Sequence, residues 1–324
     1  MEKKNIKQAI EEVRKFGVDI GKASDGSADD NIKVIPTGSL MLDMAIGTGG
    51  YPCGTLIEVF GPESGGKSTL SLLAVKQCQK AGGTAALLDI ENSFNKKWAR
   101  SLGVDVDNLW RAQPDNAEKT LDTAIKLIDG GFDLIVIDST AALIPKAEVE
   151  GNLEDATMAP LARVMSKGLR KIVNRIKRTD AVLIFINQIR EKVGTMWGSP
   201  EDTPGGRALK FYSALRIRVA KVSRSERLNE LNEPMGHSVK FKVVKNKVGP
   251  PLREGEFYLS YTKGVKRSEE VFALGIKFEI IGFTGGKTYT FEDYKWNGKE
   301  QCKMALKESK ELRQKITALI LKKL

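Results

Sequence analysis

Gly61-Pro62-Glu63-Ser64-Gly65-Gly66-Lys67-Ser68, running on into Thr69-Leu70, is the stretch on which the fold turns. It has the spacing G-x-x-x-x-G-K-[ST] and stands between an apolar, strand-like run, Leu56 to Phe60, and a helical pattern, Thr69 to Ala81. That context gives the pattern its mechanism. Glycines let backbone N–H groups approach phosphate oxygens with no Cβ in the way, and the helix N-terminus adds a favourable dipole. Lys67 is then set to reach β- and γ-phosphates, and Ser68 to ligate Mg2+.

Outward from this loop, between Ile35 and about Lys266, short β-branched runs alternate with helical patterns. This is the signature of a mostly parallel sheet with helices on both faces. Leu56 to Phe60, Thr84 to Ile90, Leu134 to Asp138 and Ala181 to Asn187 are apolar throughout, as strands covered on both sides are. Later runs alternate instead. Leu215, Ile217 and Val219 are interleaved with Arg216 and Arg218, and Val239, Phe241 and Val243 with Lys240 and Lys242, which predicts strands with one basic, exposed face. The predicted fold is α/β, with a twisted, mostly parallel central sheet flanked by helices. Residues 1–33 are expected to form a helix and linker, 34–266 the core, and 267–324 a small α+β domain with a hairpin across Gly285-Gly286 and a helix from about Glu300 to the end. In the first segment Asn5 is expected to cap a helix that Gly17 ends, and Ile6, Ala9, Ile10, Val13 and Phe16 form its apolar stripe. The stripe is to be buried on its own chain or on a neighbouring copy.

The 324 residues are enough for about two domains with a sizeable core. With 41% hydrophobic and 29% charged residues, the composition is that of a globular chain. Cys53, Cys78 and Cys302 lie far apart and His237 is the only histidine, so a disulfide framework, a zinc finger and a histidine-rich metal centre are excluded. No apolar run approaches the length of a membrane span, and the start lacks a secretory pattern; the expected compartment is the cytoplasm. The 52 basic against 41 acidic residues give a net charge of +11, which points to polyanionic partners. Residues 156–179 and 203–225 contain no acid at all. In the helix expected from Leu161 to Thr179, Leu161, Met165, Leu169, Ile172 and Ile176 fall on one face, with Arg163, Lys167, Arg170 and Asn174 opposite. Such a stripe can track phosphates, or simply face solvent.

Three further residues end strands on the phosphate-loop side. Asp138 closes Leu134 to Asp138 and can support a metal shell. Glu91 follows Leu87-Leu88-Asp89-Ile90 and can orient an attacking water, with Asp89 as the competing carboxylate. Gln188 closes the strand Val182 to Asn187 ahead of a glycine-rich segment, Ile189 to Gly206, and can either report a γ-phosphate or act as a simple cap.

Taken together, these blocks resemble the bacterial-type RecA recombinases. The resemblance is carried by Ile35 to Asp43, Gly61 to Leu70, Asp138 to Leu143, Phe185 to Arg190, Gly205 to Tyr212 and Lys242 to Lys247, in the family's order. It implies a DNA-dependent ATPase that forms ATP-bound filaments on single-stranded DNA and exchanges strands with duplex DNA, in recombination, repair and the SOS response. It also implies that Lys67 and Ser68 bind ATP and Mg2+, Asp138 supports the metal, Glu91 activates water and Gln188 senses the γ-phosphate. The two DNA loops would be 154–163 and 189–206, with Met158, Arg163, Ser166, Arg170, Arg190, Val193, Gly205, Gly206 and Arg207 as contacts. Lys245 and Lys247 would reach a neighbour's nucleotide; Phe211 and the stripe Ile6, Ile10, Val13 and Phe16 would be protomer contacts. The C-terminal domain would bind duplex DNA, and a self-cleaving repressor and loading mediators are further partners.

This chain also departs from the family pattern. Gly65 replaces a serine and is expected to loosen the loop, Asn95 stands where an aspartate reads adenine, and Trp98 replaces a stacking tyrosine. Trp197 replaces a phenylalanine. Where the family often carries an acidic tail, this chain has Leu321-Lys322-Lys323-Leu324, from which readier loading on duplex DNA is expected. A ring-shaped motor on the same core and a DNA-binding scaffold gated by ATP are the rival readings.

Overall fold

The computed structural model describes residues 2–18, 20–22, 32–151, 160–191 and 201–323, in two compact units, Met1–Lys33 and Val34–Leu324. Among its described residues the first holds one helix, Glu2–Lys15, with Ile6 and Phe16 exposed. Asn5 lies inside this helix rather than at its start, so it is not the cap that the sequence suggested.

The second unit is built on a ten-stranded sheet. Trp110–Ala112, Ala85–Asp89, Leu134–Asp138, Val182–Gln188, Thr55–Gly61 and Leu215–Lys221 lie side by side in that order, every pair parallel. Pro234–Asn246, Glu254–Ser260 and Gly264–Val265 extend it antiparallel. The apolar runs are buried on both faces, and their period of two divides them between two cores. Ile57, Val59, Val136 and Ile184 join Leu70, Leu73 and Ala74 of the helix Lys67–Lys80. Leu56, Ile135, Ile137, Leu183 and Phe185 face Leu121 and Ile125 of the helix Ala117–Asp129, and Met165, Leu169 and Ile172 of Pro160–Ile176. Each such side chain contributes about 1.5–3 kcal/mol on burial, so the sheet is held from both sides.

Parallel register fixes the functional edge. Gly61 pairs with Gln188 and Asp89 with Asp138, so four strand ends converge where ligands bind in open α/β sheets.

One expectation about the sheet is reversed. Arg216 is not on an exposed basic face: it pairs in register with Glu58 on the next strand, its Nε donates to the buried Glu58 carboxylate, and its guanidinium lies 4.6 Å from the centre of the Phe60 ring. The sequence shows the alternation but not which strand is the neighbour.

The C-terminal part, Arg267–Lys277 onward, packs around Val271, Phe272, Ile281, Trp296, Leu306 and Ile316 and shares that cluster with Leu40. Buried Glu270 fastens it to the helix Leu40–Ile46, accepting from Ser39 Oγ and from the N–H of Leu40 at 2.9 Å. Gly285 and Gly286, both at positive φ, turn the predicted hairpin. The single terminal helix expected from about Glu300 is instead two, Lys299–Glu308 and Lys310–Leu321. They break at Ser309, whose side chain caps the second by accepting from the Leu312 N–H. Cys78 and Cys302 are buried and unpaired, and burial pushes their thiols up to about 12 and about 11.

Candidate functional site

The strand Thr55–Gly61 delivers the loop, and the helix Lys67–Lys80 leaves it through Gly66 in the left-handed region at φ 88°. A Cβ on Gly61 would stand 1.8 Å from the Val219 carbonyl oxygen, so no side chain fits there. Gly65 is also enclosed: a Cβ would meet the carbonyl oxygens of Pro62 and Val219 at 3.1 Å. Its departure from serine therefore suits a close approach rather than loosening the turn. Pro62, Glu63, Ser64 and Ser68 are exposed along the rim and Thr69 is half-buried. Lys67 is buried, and its ammonium donates to the carbonyls of Gly61 at 3.0 Å and Pro62 at 2.7 Å. Burial holds it below the usual lysine range, against the pull of Asp138, Glu91 and Glu63.

Asp138, at the end of its strand, accepts from the Ser68 hydroxyl, and burial pushes its carboxyl up to about 6. Its backbone carbonyl accepts from the N–H of Ile90 at 2.7 Å, which brings the chain carrying Glu91 alongside. The Glu91 carboxylate is exposed; it accepts from Ser139 Oγ and, at 3.3 Å, from Gln188 Nε2. Asp89 does not share this position. It is buried, ion-paired with Arg111 at 2.6 Å, and accepts from the N–H groups of Ser93 and Phe94, so it organises the turn that follows it. Of the two carboxylates, Glu91 is the one available to a water.

Beside the loop, Asn95 caps the helix Lys96–Leu102 by accepting from the Trp98 N–H at 3.0 Å. Trp98 is half-buried and lines a cavity of about 270 Å³ with Phe94, Leu72 and Asp138.

The basic stripe is as expected on the helix Pro160–Ile176: Met165, Leu169, Ile172 and Ile176 are buried, whereas Arg163, Lys167, Arg170 and Asn174 are exposed. Ser166 is half-buried and lines a shallow recess with Arg163 and Arg170. Gly205 and Gly206 start the helix Gly206–Tyr212 against this one; a Cβ on Gly206 would lie 3.1 Å from that of Ala162, next to Arg163. Arg207 and Arg190 are exposed. Arg190–Glu191 pairs antiparallel with Glu201–Asp202, closing the foot of the second predicted loop. Met158, Val193 and Trp197 lie outside the described residues. Lys245 donates to the carbonyls of Lys210 at 2.7 Å and Phe211 at 2.8 Å, at the end of the helix that Gly206 begins; Lys247 is exposed, and Phe211 is 71% exposed.

Two features went unread in the sequence. Ser139 carries no role in the sequence reading, although its adjacency to the strand-end Asp138 is a signal for one. Asn187 was not singled out either; its Nδ2 donates to Glu58 at 2.9 Å and to the Pro204 carbonyl at 3.0 Å, tying the start of the 189–206 segment to its end.

A model of the RecA N-terminal domain family matches residues 4–266. The chain is similar to the proteins named Protein RecA of Porphyromonas gingivalis, 44% identical over 97% of this chain and 92% of that one, and of Caldanaerobacter subterraneus subsp. tengcongensis, 45% identical over 97% and 91%. That of Francisella tularensis subsp. novicida is 47% identical over 98% and 89%. The chain therefore belongs to the RecA family and is a DNA-binding, DNA-dependent ATPase and recombinase of DNA repair.

Proposed function

We propose that the nucleotide is ATP with Mg2+, that Glu91 is the general base, and that Gln188 couples this base to DNA bound at the 189–206 segment. The observation that carries the reading is the hydrogen bond from Gln188 to Glu91 at the sheet edge. It makes one side chain both the neighbour of the base and the first residue before the DNA segment.

In this reading the glycine loop takes the triphosphate and Lys67 exchanges the Gly61 and Pro62 carbonyls for β- and γ-phosphate oxygens. The Ser68 hydroxyl and the buried Asp138 carboxylate, both hard oxygen donors, suit Mg2+. Bound there, the ion would neutralise charge on the phosphates. A water attacks the γ-phosphorus and gives its proton to Glu91 as the bond to the β–γ bridging oxygen breaks and ADP leaves, while Ser139 and Gln188 hold the carboxylate in place. Trp98 stacks on the adenine and Asn95, with its oxygen engaged as a cap, offers its amide N–H to the base edge.

The DNA surface comprises Arg163, Ser166, Arg170, Arg190, Gly205, Gly206 and Arg207, with Met158 and Val193. ATP lies between protomers of a filament on single-stranded DNA, where Lys245 and Lys247 meet the neighbour's phosphates. Drawing Lys245 off the carbonyls of Lys210 and Phe211 would then loosen the helix that closes the DNA segment. Ile6, Ile10, Val13, Phe16 and Phe211 supply the protomer contact, and 267–324 the duplex-binding domain. By family membership we also include strand exchange, a self-cleaving repressor, loading mediators and the cytoplasm. Among the described residues, no helix is long and apolar enough to cross a membrane.

Gln188→Ala tests the coupling. Binding of a non-hydrolysable ATP analogue should persist while stimulation of hydrolysis by single-stranded DNA is lost. Stimulation equal to wild type would refute the role given to Gln188.

A further inference from the structure

The helix Lys67–Lys80 starts at the phosphate loop, and its far end, about 20 Å away at 1.5 Å per residue, enters a second cationic place. There Lys76 and Lys80 meet Lys263, Arg267, Lys310 and Arg313 across a groove of about 390 Å³ that no aspartate or glutamate lines. None of these six residues belongs to the nucleotide or single-strand sites described above, although Arg267, Lys310 and Arg313 lie in the part to which duplex binding is assigned, so the nucleic-acid arm of the test below rests on that reading.

The charges are poorly compensated. Among the described residues Lys76, Lys80, Lys263 and Lys310 have no ion-pair partner. Arg313 spends its Nη1 on the carbonyls of Leu306 at 2.6 Å and Lys307 at 3.2 Å, at the end of the helix Lys299–Glu308. The nearest acids to Arg267 are Asp43 at 3.9 Å and Glu270 at 4.0 Å. Both are fully buried, and burial raises both carboxyls, Asp43 to about 7, so they offset Arg267 weakly. Burial, with Lys80 beside it, also holds the Lys76 ammonium below the usual lysine range. Like charges gathered in a half-enclosed groove repel more strongly than on an open surface, and a bound anion removes that repulsion.

The shape narrows the anion. This groove shares Lys263, Arg267 and Arg313 with a wider one, where Glu233, Glu269 and Glu300 enter the lining and Lys266 pairs with Glu269 at 3.5 Å and Lys303 with Glu300 at 3.2 Å, so the uncompensated charge is concentrated in the narrower groove. A single phosphate would meet only some of the six cations around the 390 Å³ groove, whereas a short chain of phosphates can reach them all. We propose that the groove between the helices Lys67–Lys80 and Lys310–Leu321 is a second anion site, which takes a run of linked phosphates and clamps the C-terminal part to the core. The phosphates come either from a free polyphosphate or from a nucleic-acid backbone, and the two sources are separable by experiment.

The test uses the full chain, with the phosphate loop saturated by a non-hydrolysable ATP analogue and Mg2+, and compares wild type with Lys76→Gln/Lys263→Gln/Lys310→Gln. Calorimetric titration with inorganic tripolyphosphate should show binding beyond the analogue in wild type, weakened at least tenfold in the triple variant. Analogue affinity should be unchanged and the thermal midpoint without tripolyphosphate no lower than wild type, because the glutamines relieve the repulsion, and the corresponding triple arginine variant should bind as wild type does. Binding of a 30-base-pair duplex is then followed against salt. If DNA phosphates use the groove, the slope of log K against log salt becomes shallower by about 2.7, at about 0.9 per lost contact. Weakened tripolyphosphate binding with an unchanged DNA slope assigns the groove to the free ligand. Tripolyphosphate affinity and DNA slope both equal to wild type would overturn the proposal.

Discussion

Replacing Arg216 by methionine keeps most of the apolar stem beside Phe60 and removes the guanidinium from a carboxylate that has no access to water. Glu58 is 0% exposed and is held by Arg216 Nε and by Asn187 Nδ2 at 2.9 Å, so the variant leaves a buried charge with one neutral donor. Breaking such a pair from one side costs about 3–5 kcal/mol. The lost cation–π contact with Phe60 adds about 1 kcal/mol, and the partial exposure of Arg216 favours the lower end of the range. At about 2–4 °C per kcal/mol, the thermal midpoint should fall by roughly 6–15 °C. Neutralising the orphan in Arg216→Met/Glu58→Gln should recover at least half of that fall, because the penalty belongs to the uncompensated charge. Circular dichroism melts of wild type, the two single variants and the double variant measure the cycle. A single-variant shift under 2 °C, or a double variant no more stable than Arg216→Met, would refute the reasoning. The same network reaches the functional edge, since Asn187 also holds the Pro204 carbonyl at the end of the predicted DNA segment.

Ser139→Ala removes one of two hydrogen bonds to Glu91; at about 1.5 kcal/mol for a bond to a charged group, the lower end of the range for an exposed carboxylate, kcat should fall about tenfold with nucleotide affinity retained, read by steady-state hydrolysis and analogue titration. Asp138, raised to about 6 by burial, must lose its proton to hold a cation, so Mg2+-nucleotide affinity should fall as pH drops through 6. Asp138→Asn should weaken binding and flatten this dependence in titrations from pH 5 to 8. Asp43, raised to about 7 by burial, binds its proton more tightly in the folded chain than in the unfolded one. Its contribution to stability is therefore full below about pH 4 and is lost as pH rises through 7. Asp43→Asn should remove that part of the pH dependence of the thermal midpoint.

The parts of the molecule legible from sequence are those governed by local rules. Leu134 to Asp138 and Val182 to Gln188 are apolar runs of strand length, and their convergence beside Gly61 follows from parallel pairing. The helix Pro160–Ile176 shows its buried and basic faces by its 3.6-residue period alone. What escaped depends on neighbours distant in the chain. Arg216 looks solvent-facing until Glu58 is known to lie on the adjacent strand, and Asp89 competes with Glu91 until Arg111 arrives from the next strand to pair with it. Ser309 splits the last helix because a serine that is merely tolerated within a helix is a strong cap at its start. Gly65 looks like a loosened loop until Val219 is seen pressed against it.

The most direct test of the account is steady-state ATP hydrolysis with and without single-stranded DNA, on wild type and on Glu91→Gln. Strong stimulation by DNA is expected in wild type, with loss of hydrolysis in the variant, which still binds nucleotide and DNA. Equal rates with and without DNA in wild type, or undiminished hydrolysis in Glu91→Gln, would contradict it.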